Sequence, residues 1–324
     1  VVNGDNALTF DVPSWAVSGT TYARLRLSSE GALGVTGSAS DGEVEDYEIE
    51  IIPPVTTSGL FGDQNLISTS AVNPKSVVAA DVDGDGDMDL LSGAQHGNKL
   101  GWYENDGNQN FTEHAIGGAG QDVGGVIAID VDGDEDIDVL SASFADSKIT
   151  WYENDGSQSF TSRSITTNAA GARNVYASDV DGDGDIDVLS ASQQDDKIAW
   201  YENDGGESFT EHTITQTADQ AWGVFAADVD GDGDIDVLSA SNRDDTIAWY
   251  ENNGSQNFTE RVISTTADGA NSVFATDLDG DADMDVVGAA SAGNEITWYE
   301  NDGSQNFTER IISNTEDGPN SVFA

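Results

Sequence analysis

Asp81-Val82-Asp83-Gly84-Asp85-Gly86-Asp87-Met88-Asp89 decides the reading of the chain, because the same pattern of alternating aspartates returns four more times at a fixed step of 49 residues. The copies begin at Asp81, Asp130, Asp179, Asp228 and Asp277, with neither insertion nor deletion between them. A Trp-Tyr-Glu-Asn box keeps the same step, with its tryptophans at Trp102, Trp151, Trp200, Trp249 and Trp298. Self-similarity at this period marks an array of supersecondary units, each burying its apolar surface against its neighbours.

Within one period the residues read as four short strands, shown by the third unit: Asn174 to Asp179, Ile186 to Ser192, Lys197 to Asn203 and Ser208 to Ile214. The gaps are the acidic loop, the polar run Gln193-Gln194-Asp195-Asp196 and an Asp204-Gly205-Gly206 hairpin turn. In the third strand Ile198 and Trp200 alternate with Ala199 and Tyr201, so both faces are apolar and the sheet must be sandwiched. The expected fold is all-β: a β-propeller of four-stranded blades, five complete here and seven in the parent protein, plus a partial β-sandwich at the N-terminus. A solenoid is the alternative that also stacks repeats.

Residues 60–324 carry the repeats and 54–59 read as a linker behind Pro53-Pro54. Leu60-Phe61 to Leu66-Ile67 resembles a lone fourth strand, while Ser321-Val322-Phe323-Ala324 begins another first strand, the arrangement expected of a ring closed by strands from both ends. Residues 1–53 lie outside the period. Tyr22 to Leu27 and Tyr47 to Ile52 alternate there as strands.

Each acidic loop crowds five carboxylates into nine residues, which repel one another unless a cation sits among them, and oxygen-only donors favour calcium. The candidate metal ligands are Asp81, Asp83, Asp85, Asp87 and Asp89; Asp130, Asp132, Asp134, Asp136 and Asp138; Asp179, Asp181, Asp183, Asp185 and Asp187; Asp228, Asp230, Asp232, Asp234 and Asp236; and Asp277, Asp279, Asp281, Asp283 and Asp285. Side chains at loop positions 1, 3, 5 and 9, with the carbonyl of position 7, would hold about one Ca2+ per blade. The loop is not an EF-hand, since position 12 is Ser92, Ser141, Ser190, Ser239 or Gly288 and strands flank it. Position 6 is glycine in three loops but Glu135 and Ala282 in the others, where a positive φ would strain the backbone and weaken binding.

Sixty-one acidic residues against eleven basic ones give a net charge of −50, which excludes phosphate backbones and anionic lipid surfaces as partners. No run of residues reaches the roughly 20 apolar positions of a spanning helix, so direct membrane insertion is not expected. With no cysteine, disulfides contribute nothing, and metal ions are the expected stabiliser of the fold.

These loops resemble those of the FG-GAP/VCBS repeat family of calcium-binding propellers, and Gly42-Glu43-Val44-Glu45-Asp46-Tyr47 looks like the C-terminal half of a GEVED domain of bacterial surface proteins. The resemblance implies a secreted or cell-surface protein whose calcium loops line one rim and whose opposite rim binds ligand. On that opposite rim the positions that vary between repeats include one just before the first strand (Lys75, Arg173, Trp222) and one in the 2-to-3 loop (His96, Arg243, with Phe144 beside it), candidates for contact with a partner. Neutral drift on tolerant loops competes with this for each residue taken singly.

No residue is assigned to catalysis. His114 and His212 share a repeat position with Arg163, Arg261 and Arg310 and read as partners of nearby acids. Asn110, Asn257 and Asn306 fit a glycosylation sequon but sit where hairpin turns favour asparagine. The expected function is non-catalytic: adhesion to, or recognition of, a glycan or surface protein. The alternatives are a self-associating subunit of a surface layer or filament, and an accessory part of a secreted carbohydrate-active enzyme.

Overall fold

The computed structural model describes residues 19–27, 43–51, 65–96, 99–117 and 120–323. The expected linker at 54–59, Pro53-Pro54, Leu60-Phe61, Gly42 and Ala324 lie outside those residues. By compactness the chain divides into two units, Val1–Asn65 and Leu66–Ala324.

In the first unit β1 (Gly19–Leu27) pairs antiparallel with β2 (Glu43–Ile51), with Gly19 opposite Ile51 and Leu27 opposite Glu43.

The second unit consists of five four-stranded antiparallel sheets, each a meander of consecutive strands. The first sheet takes β3 (Val72–Ala80), β4 (Asp89–His96), β5 (Lys99–Asn105) and β6 (Phe111–Ala115). The second takes β7 (Val123–Ile129), β8 (Asp138–Ser143), β9 (Lys148–Asn154) and β10 (Phe160–Thr166). The third takes β11 (Ala172–Ser178), β12 (Asp187–Ser192), β13 (Lys197–Asn203) and β14 (Phe209–Thr215). The fourth takes β15 (Ala221–Ala227), β16 (Asp236–Ser241), β17 (Thr246–Asn252) and β18 (Phe258–Ser264). The fifth takes β19 (Ala270–Thr276), β20 (Asp285–Ala290), β21 (Glu295–Asn301) and β22 (Phe307–Ser313). Among the described residues there is no helix, and therefore none long and apolar enough to cross a membrane.

The two-faced third strand is what stacks the sheets. Ile198 and Trp200 enter a core with Val224, Ala226, Val237 and Tyr250 of the following sheet. Ala199 and Tyr201, on the other face, enter a core with Leu140, Ala142, Ile149 and Trp151 of the preceding one. The same tryptophan-face-to-tyrosine-face packing joins the first sheet to the second and the fourth to the fifth. Each ring removes roughly 150–250 Å² from water, so truncating one to alanine costs about 3–5 kcal/mol.

First strands of successive sheets run beside one another, β3 next to β7, β7 to β11, β11 to β15 and β15 to β19. Their backbones approach closely. A Cβ added at Gly124 would meet the Arg173 carbonyl at 2.6 Å, and one at Gly125 would meet the Asn174 Cα at 3.0 Å. An aromatic ladder follows the same line, with Tyr176, Phe225, Phe274 and Phe323 tilted against one another at centroid spacings of 4.6, 4.7 and 5.0 Å. Val322 donates its N–H to Ser272 Oγ at 3.2 Å, as Val126 does to Ser76 at 3.3 Å.

Strand pairing places the acidic loop at one end of each sheet. In the third sheet Ser178 faces Asp187 there, while Ala172 faces Ser192 at the far end, where the 4-to-1 and 2-to-3 connections meet.

Candidate metal centres

Each acidic loop is folded by its own carboxylates. Asp179 accepts the N–H of Gly182 at 2.8 Å on one oxygen and that of Gly184 at 3.0 Å on the other. Asp181 accepts from Asp183, and Asp183 from Asp185, in the local turns that aspartate favours. Both glycines hold positive φ, 76° and 99°, a region that a side chain enters only with strain. At position 6 of the second and fifth loops Glu135 and Ala282 sit at 75° and 77° and still donate to Asp130 and Asp277. The strain expected at these two positions is therefore present in the backbone.

Position 9 is the anchor. Asp89, Asp138, Asp187, Asp236 and Asp285 are each fully buried at the start of a second strand. In the third loop Asp187 Oδ2 accepts the N–H of Val180 at 3.0 Å and Oδ1 that of Asn203 at 2.8 Å. In the first loop the Trp102 indole N–H also donates to Asp89, at 2.9 Å. Position 7 points elsewhere: a Cβ on the turn glycine Gly205 would lie 2.4 Å from Asp185 Oδ2.

Carboxylate oxygens of positions 1, 3 and 9 converge within 4.8 Å of one another in three loops: Asp130, Asp132 and Asp138; Asp179, Asp181 and Asp187; Asp228, Asp230 and Asp236. In the first loop the converging set is Asp81, Asp83 and Asp85. Asp81 Oδ1 and Asp132 Oδ1 are buried with no hydrogen-bond donor. Buried carboxylate oxygens without donors, in a nest of further carboxylates, fit a hard cation bound through oxygen. Burial pushes the carboxyl groups of Asp138 and Asp187 up to about 6 and that of Asp236 up to about 7, against the hydrogen bonds that favour their ionised forms. Desolvation, followed by charge repulsion from Asp134, also raises Asp132.

The Trp-Tyr-Glu-Asn box ties consecutive loops together, a role its sequence does not announce. Asn203 Nδ2 donates to Ile186 O of its own loop at 3.1 Å and to Val131 O of the preceding loop at 3.4 Å. Asn154 makes the corresponding bonds to Ile137 and Val82, Asn252 to Ile235 and Val180, and Asn301 to Met284 and Val229. The glutamate of the box pairs with the basic residue of the fourth strand. Glu104 meets His114 at 2.6 Å, Glu153 meets Arg163 at 2.6 Å and Glu202 meets His212 at 2.7 Å, with Glu251–Arg261 and Glu300–Arg310 completing the series. His114 and His212 also stack on Trp102 and Trp200, at 4.5 and 4.6 Å.

At the opposite end, residues expected just before the first strand lie inside it, on a bulge. Ala172 pairs with Ser192 and Asn174 with Ala191, so Arg173 is the extra residue; Lys75, Trp222 and Asn271 occupy the same place in β3, β15 and β19. A bulge re-aims its side chain away from the ladder, and nothing in the local residue types marks where it falls. The structure brings Phe144, Arg173 and Trp222 together, with the guanidinium carbon 4.1 Å from the Phe144 ring centroid and 4.5 Å from that of Trp222. Lys75 and His96 are exposed on the first sheet, and Arg243 is exposed with its guanidinium 3.8 Å from Asp219.

Comparison with known proteins agrees with this layout. A family model for FG-GAP-like repeats matches residues 81–141, 130–190, 179–239 and 228–288, and a GEVED domain model matches residues 1–50. No curated protein matches the chain significantly. A catalytically inactive virginiamycin B lyase from Staphylococcus aureus, solved with quinupristin, superposes with a TM-score of 0.53 at 15% identity, covering 91% of this chain and 89% of its own. A 6-phosphogluconolactonase candidate from Bacteroides uniformis gives 0.55 at 12% identity, covering 86% and 77%. A protein of unknown function from Desulfotomaculum acetoxidans gives 0.53 at 11% identity, covering 74% and 69%. At such identities the likeness concerns the fold alone. The four overlapping matches span more than half of the residues, and the chain belongs to the FG-GAP-like repeat family, with a GEVED domain at its N-terminus.

Proposed function

We propose that the five sheets are blades of a β-propeller held together by about one Ca2+ per acidic loop, and that the chain is a non-catalytic extracellular module recognising a glycan or surface protein through the rim away from those loops. The domains would be a GEVED-like sandwich part over 1–53, a linker over 54–59 and the propeller over 60–324. Side-by-side first strands support radial blades, and the convergence of carboxylates at positions 1, 3 and 9 supports the metal. Calcium would be bound by these oxygens together with carbonyls of the loop, and would supply the charge that offsets their mutual repulsion.

The observation that carries recognition is the gathering of Phe144, Arg173 and Trp222 from three successive repeats, the last two on first-strand bulges and Phe144 on a 2-to-3 connection of a scaffold that otherwise repeats itself. Rigid aromatic and arginine side chains are the usual anchors of recognition. Screening the calcium-loaded chain on a glycan array and against surface extracts tests it: saturable binding lost on Trp222→Ala supports the reading, and binding indifferent to the rim contradicts it.

A second reading, a self-associating surface-layer or filament subunit, draws on the five repeats following one another at a fixed step without inserted loops. Concentration-dependent association in sedimentation experiments would favour this second reading.

A further inference from the structure

Arg173 is half-buried, and rings from the preceding and the following repeat flank its guanidinium. Its Nε donates to Gln193 Oε1 at 2.6 Å, and among the described residues neither Nη has a hydrogen-bond partner. Gln193 is in turn held by Gln220 at 3.1 Å, which fixes the side of the guanidinium facing the protein. The Trp222 indole N–H, buried beside it, also lacks an acceptor. The site therefore offers the free end of a guanidinium fork and one indole N–H, with the Asp122 carboxylate near enough to act on Arg173 electrostatically. Buried donors without acceptors carry a desolvation cost, which a ligand bearing acceptors removes.

The surroundings are rigid. The 2-to-3 and 4-to-1 connections are laced by paired backbone bonds, Phe144 N to Asp122 O and Ala145 N to Gln121 O in the second repeat, Gln193 N to Gly171 O and Gln194 N to Ala170 O in the third. Gly171, at φ 66°, leaves the space that Phe144 fills, since a Cβ there would lie 2.9 Å from the Phe144 ring. Other repeats place Lys75, Gly124, Asn271 and Asn320 at the position of Arg173 and Trp222, so the adjacent pair of arginine and tryptophan occurs at one place on the rim.

We infer that Arg173, Phe144 and Trp222 form a binding site for an oxyanion carried by a saccharide, a uronate carboxylate or a sulfate ester, received by the Arg173 Nη pair and the Trp222 indole N–H. This rests on the proposed recognition by the rim and names the ligand class for it. A guanidinium fork fits such planar or tetrahedral oxyanions bidentately, which lysine cannot reproduce. The site attracts one anionic group against the field of a strongly acidic protein, so only ligands of low charge density are admitted.

The test is titration calorimetry of the calcium-loaded chain with three matched oligosaccharide series, one bearing glucuronate or galacturonate, one sulfated and one neutral, repeated on Arg173→Lys and Trp222→Phe. Binding of an acidic series and not of the neutral one, weakened about tenfold or more in both variants with unchanged thermal midpoints, is the expected result, and the series that binds identifies the oxyanion. Binding of neutral saccharides that ignores Arg173→Lys overturns this inference while leaving recognition by the rim intact. No saccharide binding overturns the inference and the glycan reading with it. A fall in thermal midpoint in Arg173→Lys with unaltered binding overturns it too, assigning the stack to stability.

Discussion

Position 3 of the acidic loop separates the metal-free from the metal-bound protein most cleanly, because its carboxylate closes a turn and joins the converging trio. Desolvation and neighbouring acids raise the carboxyl group of Asp181 above its ordinary value, so its charge is unfavourable without a cation. Asp181→Asn should leave the midpoint without calcium unchanged or raised, lower it with calcium, and remove one ion from the stoichiometry measured by calorimetry. Glu135→Gly and Ala282→Gly should each relieve about 1 kcal/mol of backbone strain and tighten the second and fifth sites, measured as site-resolved calcium affinity. The loops were legible in the sequence because five in-register copies of a carboxylate pattern admit little besides a cation. Which carboxylates converge was less so: of the expected positions 1, 3, 5 and 9, the second to fourth loops bring together 1, 3 and 9 and the first loop brings together 1, 3 and 5, while the side chain of position 7 turns towards the hairpin glycine, a consequence of folded register.

Strands and turns followed closely from apolar alternation, and β11 to β14 fall within two residues of the expected segments. Bulges did not, since a one-residue slip in pairing leaves no compositional trace; that is why Arg173 and Trp222 were expected before a strand and lie within one. The asparagine clasp was also missed, because its partners are main-chain carbonyls 17 and 72 residues away, invisible to any local pattern. Asn203→Ala leaves Val131 O and Ile186 O unpaired and should lower unfolding free energy by about 1–3 kcal/mol, with and without calcium, in denaturant titrations. At the starts of β8, β12 and β16, burial lifts Asp138, Asp187 and Asp236 to about 6, 6 and 7, above the unfolded value of 3.8. Such a group stabilises the fold fully below the unfolded value, and that contribution is lost as pH rises through the folded one. Metal-free protein should therefore lose stability between about pH 4 and 7, whereas protein in calcium should gain it over the same window as the ligands ionise, and melting curves across pH would show the crossing slopes.

At the scale of the whole molecule, repeated packing of tryptophan faces on tyrosine faces supplies the core, and the acidic ends of the sheets must be neutralised for that packing to persist. Five divalent ions would offset only a small part of the net charge of −50, so their effect is local, at the loops and at the clasps joining them. A site held at a thousand times its dissociation constant adds about 4 kcal/mol, and several such sites outweigh the stability of an ordinary domain. The most direct measurement is thermal unfolding of the chain with calcium and with chelator, magnesium serving as the control divalent ion. The account predicts a large rise in midpoint with calcium that magnesium does not reproduce; identical midpoints in calcium and chelator would show that the acidic loops are not metal centres.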